Sequence, residues 1–457
     1  MYAARLLYRP EVRRRVSILV MAICVVYYLF QAATWFAQLG QKRLDFDFSQ
    51  FWRAALDVGA GRNPYQFYLD LHCPAWCLGG YIYTPLVATI MAPLGVLPER
   101  AAAGIWTAAS HLMVLATIVI LYRALRRDVS PAAMACLLAA GLVFQPIFEN
   151  LNYIQIGPLL LLVLAAAAVL YLRGNPRSAA GAGALVALAA VIKVTPLLMI
   201  PALVPIGWAR GPAARVAREV GAAYAGLVAM SILLLGGMLL LIPYTSQFFT
   251  EVLPRIGGGV AAFDNKSFPG FIAQVFQILG GPRPPATPLA LATIAIFMGP
   301  PVVLAALASP ARLGPRGTRA AYFAAMVAAM PIVSTITWRH HLLVSYLAIV
   351  LLAVCLWPRS GRPASRAARW LVVIAYVLMS LEDPMVEALA LGGVGHTAAL
   401  DIIRVLVIVY ANLWGMIALW LGAVMVLRVA VREAATAPVA DELVARRMGD
   451  RMAVGST

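Results

Sequence analysis

Residues 81–98 read YIYTPLVATIMAPLGVLP, and whether this stretch crosses a membrane decides the fold. It is apolar enough to cross. It is also interrupted by Pro85, Pro93 and Pro98, each of which removes a backbone donor and opposes a continuous helix. Freed backbone groups need partners in hydrocarbon, so the stretch reads as re-entrant or interfacial rather than spanning.

The rest of the chain supports that reading through charge. Of 457 residues, 62% are hydrophobic and 12% charged, which excludes an ordinary soluble domain. The expectation is an all-α, polytopic integral membrane protein. Apolar runs suited to spanning helices lie at 16–38, 101–122, 131–149, 156–172, 178–193, 195–209, 219–242, 288–308, 319–337, 342–357, 370–386 and 402–427, about twelve in all. With the N-terminus in the cytoplasm, alternation places 25 of the 36 lysines and arginines there, but 7 of the 19 acids. The cytoplasmic side then carries +18 and the outer side −1, which make up the net +17. Both termini are cytoplasmic, as the positive-inside rule asks. Counting 81–98 as a span would move Arg123, Arg126 and Arg127 outside and invert everything after them.

The organisation that follows is one transmembrane domain, 1–430, with a long first outer loop at 39–100. A polar cytoplasmic tail at 431–457 has no fold of its own. The first run follows Arg13–Arg15 without a small-residue cleavage site and reads as a signal anchor. The basic surplus belongs to cytoplasmic loops, so no nucleic acid is expected as a partner. Gly257–Gly259 lacks the strand and Lys-Ser/Thr pair of a phosphate loop. Cys24, Cys136 and Cys355 fall in spans as small core residues. Cys73 and Cys77, in "CPAWC", lie where disulfides are permitted, with the geometry left open. His72 alone is too little for a metal site there, and none is expected.

The long and chemically rich loops fall outside. They carry Asp45, Asp47, Tyr83, Asn152, Gln155, Lys193, Asn265, Lys266, Arg339, His340 and His341. Polar groups from separate stretches that converge on one face of an apolar body mark a site. Lys193, in "AAVIKVTP", is either a snorkelling interface lysine or part of an anion site; with Arg339 and His340 beside it, the anion site is favoured. The first loop opens on "RLDFDFSQFW" (Arg43–Trp52), with two carboxylates two residues apart. Those side chains point apart in a helix or a strand. Asp47 with Gln50 three residues on also fits a helix-capping box, so cap and catalytic base both stand as readings. Trp52, Tyr65, Tyr81 and Tyr83 suit sugar stacking or an interfacial aromatic belt.

"DFSQFW" with "GRNPY", "YTP", "PIFENLNYIQIGP", "KVTP", "NKS" and "TWRHH" follow one another in the order of glycosyltransferase family 87. The sequence resembles that family, part of the GT-C superfamily, which includes polyprenyl-phosphate-mannose-dependent α-1,2-mannosyltransferases. The resemblance covers roughly residues 45–360. Three motifs depart from the usual pattern: Tyr83-Thr84-Pro85, Asn265-Lys266-Ser267 and Gly157-Pro158-Leu159.

The resemblance implies an inverting sugar transfer, most simply of mannose, from a polyprenyl-phosphate donor to a glycolipid or glycan hydroxyl. The active site would face the extracytoplasmic side of the cell membrane. No cofactor or metal is implied. It favours Asp47 as general base; from the residues themselves, His340 and His341 are expected as catalytic partners, able to donate to a phosphate oxygen or relay a proton. Asp45, Tyr83, Asn152, Gln155, Lys193, Asn265, Lys266 and Arg339 become substrate-binding residues. Two other lipid-handling classes use a similar composition. A transporter would place charges near the bilayer midplane, and these cluster at one face. A lipid-linked glycan ligase or polymerase also uses outer-loop Arg and His, and the first-loop Asp motif argues against it.

Overall fold

The computed structural model describes residues 10–39, 46–70, 80–204, 206–208, 213–257, 264–282, 284–308, 313–360, 363–382 and 405–454. Among the described residues every regular element is helical. α1 (Pro10–Gln38) is the first apolar run, and α2 (Phe46–Gly59) follows in the first loop. α3 (Pro85–Gly95) is the deciding stretch. Pro85 occupies its first turn after Thr84 in extended backbone, and the helix has 11 residues. Those rise roughly 16 Å, about half the hydrocarbon thickness, so α3 does not span. It lies instead on α2, where a Cβ at Gly95 would stand 3.0 Å from the backbone of Ala55 and Leu56.

Then come α4 (Glu99–Leu125), α5 (Pro131–Leu142), α6 (Gln145–Asn152), α7 (Gly157–Arg173) and α8 (Pro176–Ile192). α9 (Ala213–Ser231) continues through a π-helical turn, Ile232–Gly236, to Leu241. α10 (Phe268–Ile278), α11 (Ala286–Leu307), α12 (Gly314–Val333), α13 (Ser345–Leu356), α14 (Arg366–Met379) and α15 (Ala411–Val454) complete the bundle. Local chemistry sets many of the starts. Ser130, Asn175, Ser267 and Ser365 each accept a backbone N–H at the head of α5, α8, α10 and α14. Proline in the first turn of α5, α8 and α10 gives up a donor that has no helical partner there.

Among the described residues seven helical stretches are long and apolar enough to cross a membrane: Arg15–Ala37, Glu99–Leu125, Pro131–Asn152, Ala214–Leu241, Ala286–Leu307, Arg339–Leu356 and Ala411–Arg432. The expected runs at 156–172 and 178–193 are the shorter apolar helices α7 and α8. The run at 319–337 falls on α12, the centre of the bundle, where every residue from Gly317 to Val333 is buried. The run at 370–386 begins as α14. The final helix continues into the segment expected as a tail. Cys73 and Cys77 lie outside the described residues.

One expected span is corrected. The described residues of the run 195–209 do not form an α-helix. Thr195–Leu203 is a 3₁₀ segment carrying Pro196 and Pro201. Its nine residues rise roughly 18 Å, too little for an α-helical span. Such backbone is tolerated at membrane depth when protein satisfies it. Here hydroxyls from three helices do so: Tyr224 donates to Ile200 O (3.4 Å), Tyr322 to Pro201 O (2.6 Å) and Tyr171 to Val204 O (3.1 Å).

Without a hydrophobic drive between helices in lipid, close approach of small residues holds them. α8 and α9 show this reciprocally. A Cβ on Gly183 would lie 1.9 Å from Ala223 O, and one on Gly226 2.0 Å from Ala180 O. At one end of α12, Arg316 pairs with Asp128 and Arg319 with Glu219, each at 3.0 Å. The other end of α12 lines the candidate site.

Candidate active site

Asp47 lies in the first turn of α2, where the helix dipole favours a negative charge. Its Oδ2 accepts a hydrogen bond from Gln155 Nε2 at 2.6 Å. Gln155 sits in the turn between α6 and α7, and its Oε1 accepts from the Tyr83 hydroxyl at 3.0 Å. Tyr83 in turn offers its ring face to Lys193, whose Nζ stands 5.6 Å from the ring centroid. Lys193 ends α8 in extended backbone. Four expected site residues from four elements thus form one continuous chain. Burial, and secondarily the Asp47 carboxylate, push the Tyr83 hydroxyl well above its ordinary pKa, so it stays a donor.

His340 and His341 open a 3₁₀ turn, Arg339–Val344, ahead of α13, with ring centroids 4.4 Å apart and planes near perpendicular. His341 Nδ1 accepts the Trp338 N–H at 3.2 Å, so a neutral ring carries its proton on Nε2. Two asparagines clamp the stretch leading to the histidines. Asn265 Nδ2 donates to Thr335 O, and its Oδ1 accepts from Thr337 N. Asn150 Nδ2 donates to His340 O at 2.6 Å. Each asparagine is pressed on a glycine, Gly270 and Gly157, where a Cβ would fall 2.4 Å from the amide. The motifs "NKSFPG" and "FENLNYIQIGP" are in this sense supports for the loop that carries the histidines.

These groups enclose a cavity of about 420 Å³. Asp47, Gln50, Tyr83, Gln155, Lys193, His340 and His341 form its polar head, with Trp338 beside them. Thr84, Thr195, Ser334 and Thr335 also line it, and the rest is apolar, including Leu197 and Leu198 of the 3₁₀ segment, Ala290 and Ile294 of α11, and Leu253 and Ile256. The segment around Leu253 and Ile256 is tied to the first loop by Asn63 Nδ2 to Gln247 Oε1 (2.8 Å) and Arg255 Nη1 to Leu69 O (3.3 Å). "GRNPY" also supports Tyr83 directly, since the Tyr65 hydroxyl donates to Tyr83 O at 2.9 Å.

Not every expected site residue reaches the cavity. Arg339 is buried against Glu149, Nε to Oε2 2.8 Å, and does not line it. Asn265 supports the loop, and Lys266 Nζ donates to Val409 O at 3.2 Å. Asn152 is exposed and does not line the cavity. Asp45 lies outside the described residues. Sequence reasoning did not single out Gln50, Thr195, Ser334 or Trp338 as site residues, although all four line the cavity. Thr195 and Trp338 lie inside "KVTP" and "TWRHH", beside the more conspicuous charged residues of those motifs. Among the described residues no group of three or more His, Cys, Asp or Glu is placed to hold a metal ion.

A helical membrane bundle with a carboxylate, a lysine amine and two imidazoles lining a largely apolar cavity is compatible with a membrane-embedded glycosyltransferase. The chain belongs to glycosyltransferase family 87, whose sequence pattern matches residues 81–337. That region holds Tyr83, Gln155 and Lys193; His340 and His341 lie just past its end, and Asp47 lies well before its start, outside the match. The solved structure of ArnT from Cupriavidus metallidurans bound to undecaprenyl phosphate is similar at 16% identity and a TM-score of 0.40, over 91% of this chain and 79% of that one. A likeness of that degree places no residue. No curated protein matches the sequence.

Proposed function

We propose that the protein transfers a sugar, most simply mannose, from a polyprenyl-phosphate donor to a hydroxyl of a glycolipid or glycan on the extracytoplasmic side. The observation that carries this reading is a cavity whose lining joins a cluster of charged and polar groups to a larger apolar surface. A lipid phosphate sugar has both characters. Its isoprenoid chain suits the apolar lining of Leu197, Leu198, Ala290 and Ile294, and its phosphate and sugar suit the polar cluster.

The chemistry then assigns roles. The acceptor hydroxyl is a poor nucleophile at neutral pH. Asp47 takes its proton as the oxygen bonds to the anomeric carbon. The bond from that carbon to the phosphate oxygen breaks, and the electron pair leaves with polyprenyl phosphate. Lys193 and the Nε2–H of His341 stabilise the departing negative charge. Attack opposite the phosphate inverts the centre, so a β-linked donor gives an α-linked product. Trp338 and Tyr83 offer ring faces to the sugar. Arg339 is left out of donor binding, because Glu149 holds it.

The test is product analysis. Purified protein is incubated with a panel of polyprenyl-phosphate sugars and a membrane glycolipid extract. The expected result is one extended glycolipid with an α linkage, formed from one donor of the panel. Transfer from a nucleotide sugar, or a β-linked product from a β-linked donor, would overturn the reading.

A further inference from the structure

Gln155 bonds to the carboxylate at the cavity head as well as sharing its cavity, and its backbone is held in place at a cost. Ile154, the residue before it, has φ +51°, in the left-handed region that β-branched side chains avoid. Ile154 is 4% exposed, so packing holds it there. Strain of this kind persists where surroundings over-determine it, and it gathers at functional sites. Beyond the strained residue, Gln155 N–H donates to Asn150 O at 3.0 Å and Gln155 O accepts from Trp106 Nε1 at 3.4 Å. The Asp47 carboxylate can only accept, so it takes the Nε2 side of the amide, and the Tyr83 hydroxyl holds that orientation by donating to the Oε1 left facing it. The reverse orientation would set an amide oxygen against a carboxylate. Gln155 is itself 5% exposed.

We propose that Gln155 is the positioning residue of the base: an amide aimed by Tyr83 and by the strained turn at Ile154, which holds the Asp47 carboxylate charged and turned into the cavity. The inference rests on Asp47 being the base. Other titratable groups face Asp47 too. Lys193 comes from the end of α8, Tyr83 from the stretch before α3, and His340 and His341 from the turn before α13. On the far side Glu99, at the head of α4, takes the Ser49 hydroxyl. Arg53 belongs to α2 itself.

The experiment is the pH profile of kcat and KM, with polyprenyl-phosphate mannose as donor and a membrane glycolipid as acceptor. The variants are Gln155→Met, Gln155→Glu and Tyr83→Phe, each checked for monodisperse elution. Gln155→Met removes the donor at similar volume. The acidic limb of kcat should move up by about one pH unit, as a charge-assisted hydrogen bond is lost. Gln155→Glu adds a like charge and should move it further. Tyr83→Phe frees the amide to turn and should move it the same way by less. Donor KM should change less than about twofold. A limb that stays in place in both Gln155 variants overturns the inference: with KM raised, Gln155 is a substrate contact, and with kcat lowered equally at every pH, it is structural. If Asp47→Asn keeps wild-type turnover, the base reading fails and takes this inference with it. An inactive Asp47→Asn with an unmoved limb overturns the inference alone.

Discussion

Lys193 and Arg339 looked alike in sequence, two cations expected on one face, and the fold separates them. Arg339 finds Glu149, 190 positions away, with both side chains 9% exposed. A pairing at that separation cannot be read from local pattern, so the sequence alone groups Arg339 with the donor-binding residues. The two residues should now respond differently. Arg339→Met leaves Glu149 buried without its partner and should destabilise the protein by about 3–5 kcal/mol. The loss should show as a lower melting temperature in detergent and be partly restored by adding Glu149→Gln. A fully stable Arg339→Met with lost donor affinity would return Arg339 to the site. Lys193→Met should keep the melting temperature and lower donor turnover roughly tenfold, the scale of a lost charge-assisted contact. Asp47 was legible because the first-loop motif carried it. Gln155 was legible as a site residue, though its bond to Asp47 was not.

Elements were legible where their cause was local. Pro85, Pro93 and Pro98 ruled out a span at 81–98, and α3 ends after 11 residues. The prolines of 195–209 act in the same way, although the hydropathy of that run matches a spanning helix. What the run could not show was its surroundings: three tyrosines from α7, α9 and α12 donate to the carbonyls of a non-α segment. Tyr171→Phe and Tyr322→Phe should therefore cost about 1 kcal/mol each in stability, near the net worth of a hydrogen bond. Unchanged melting in the double variant would show that the segment needs no such donors. The α8–α9 contact tests the packing argument. Gly183→Val would drive a side chain into Ala223 O and should destabilise by about 3 kcal/mol. Gly221→Ala, where a Cβ meets nothing within 4 Å, serves as the control on the same helix pair.

At the scale of the molecule, charge asymmetry and motif order were enough to give a polytopic membrane glycosyltransferase with its polar groups converging at one end. The separation of the two ends of α12, ion pairs at one and the cavity at the other, follows the same division. We predict that the cavity end is extracytoplasmic. A cysteine placed within Gly361–Ser365 should resist impermeant reagents applied to intact cells, and one at Asn63 should label. The reverse pattern would invert the topology. The central claim is that Asp47 is the base of sugar transfer from a lipid phosphate. It is tested most directly by following polyprenyl phosphate release from polyprenyl-phosphate mannose, comparing wild-type protein with Asp47→Asn in the same lipid nanodiscs. Asparagine keeps the size and the helix-start compatibility of aspartate and removes the basic carboxylate. The account predicts release by the wild type and a fall of roughly 10²-fold or more in a well-folded variant. Equal release by the two proteins would contradict it.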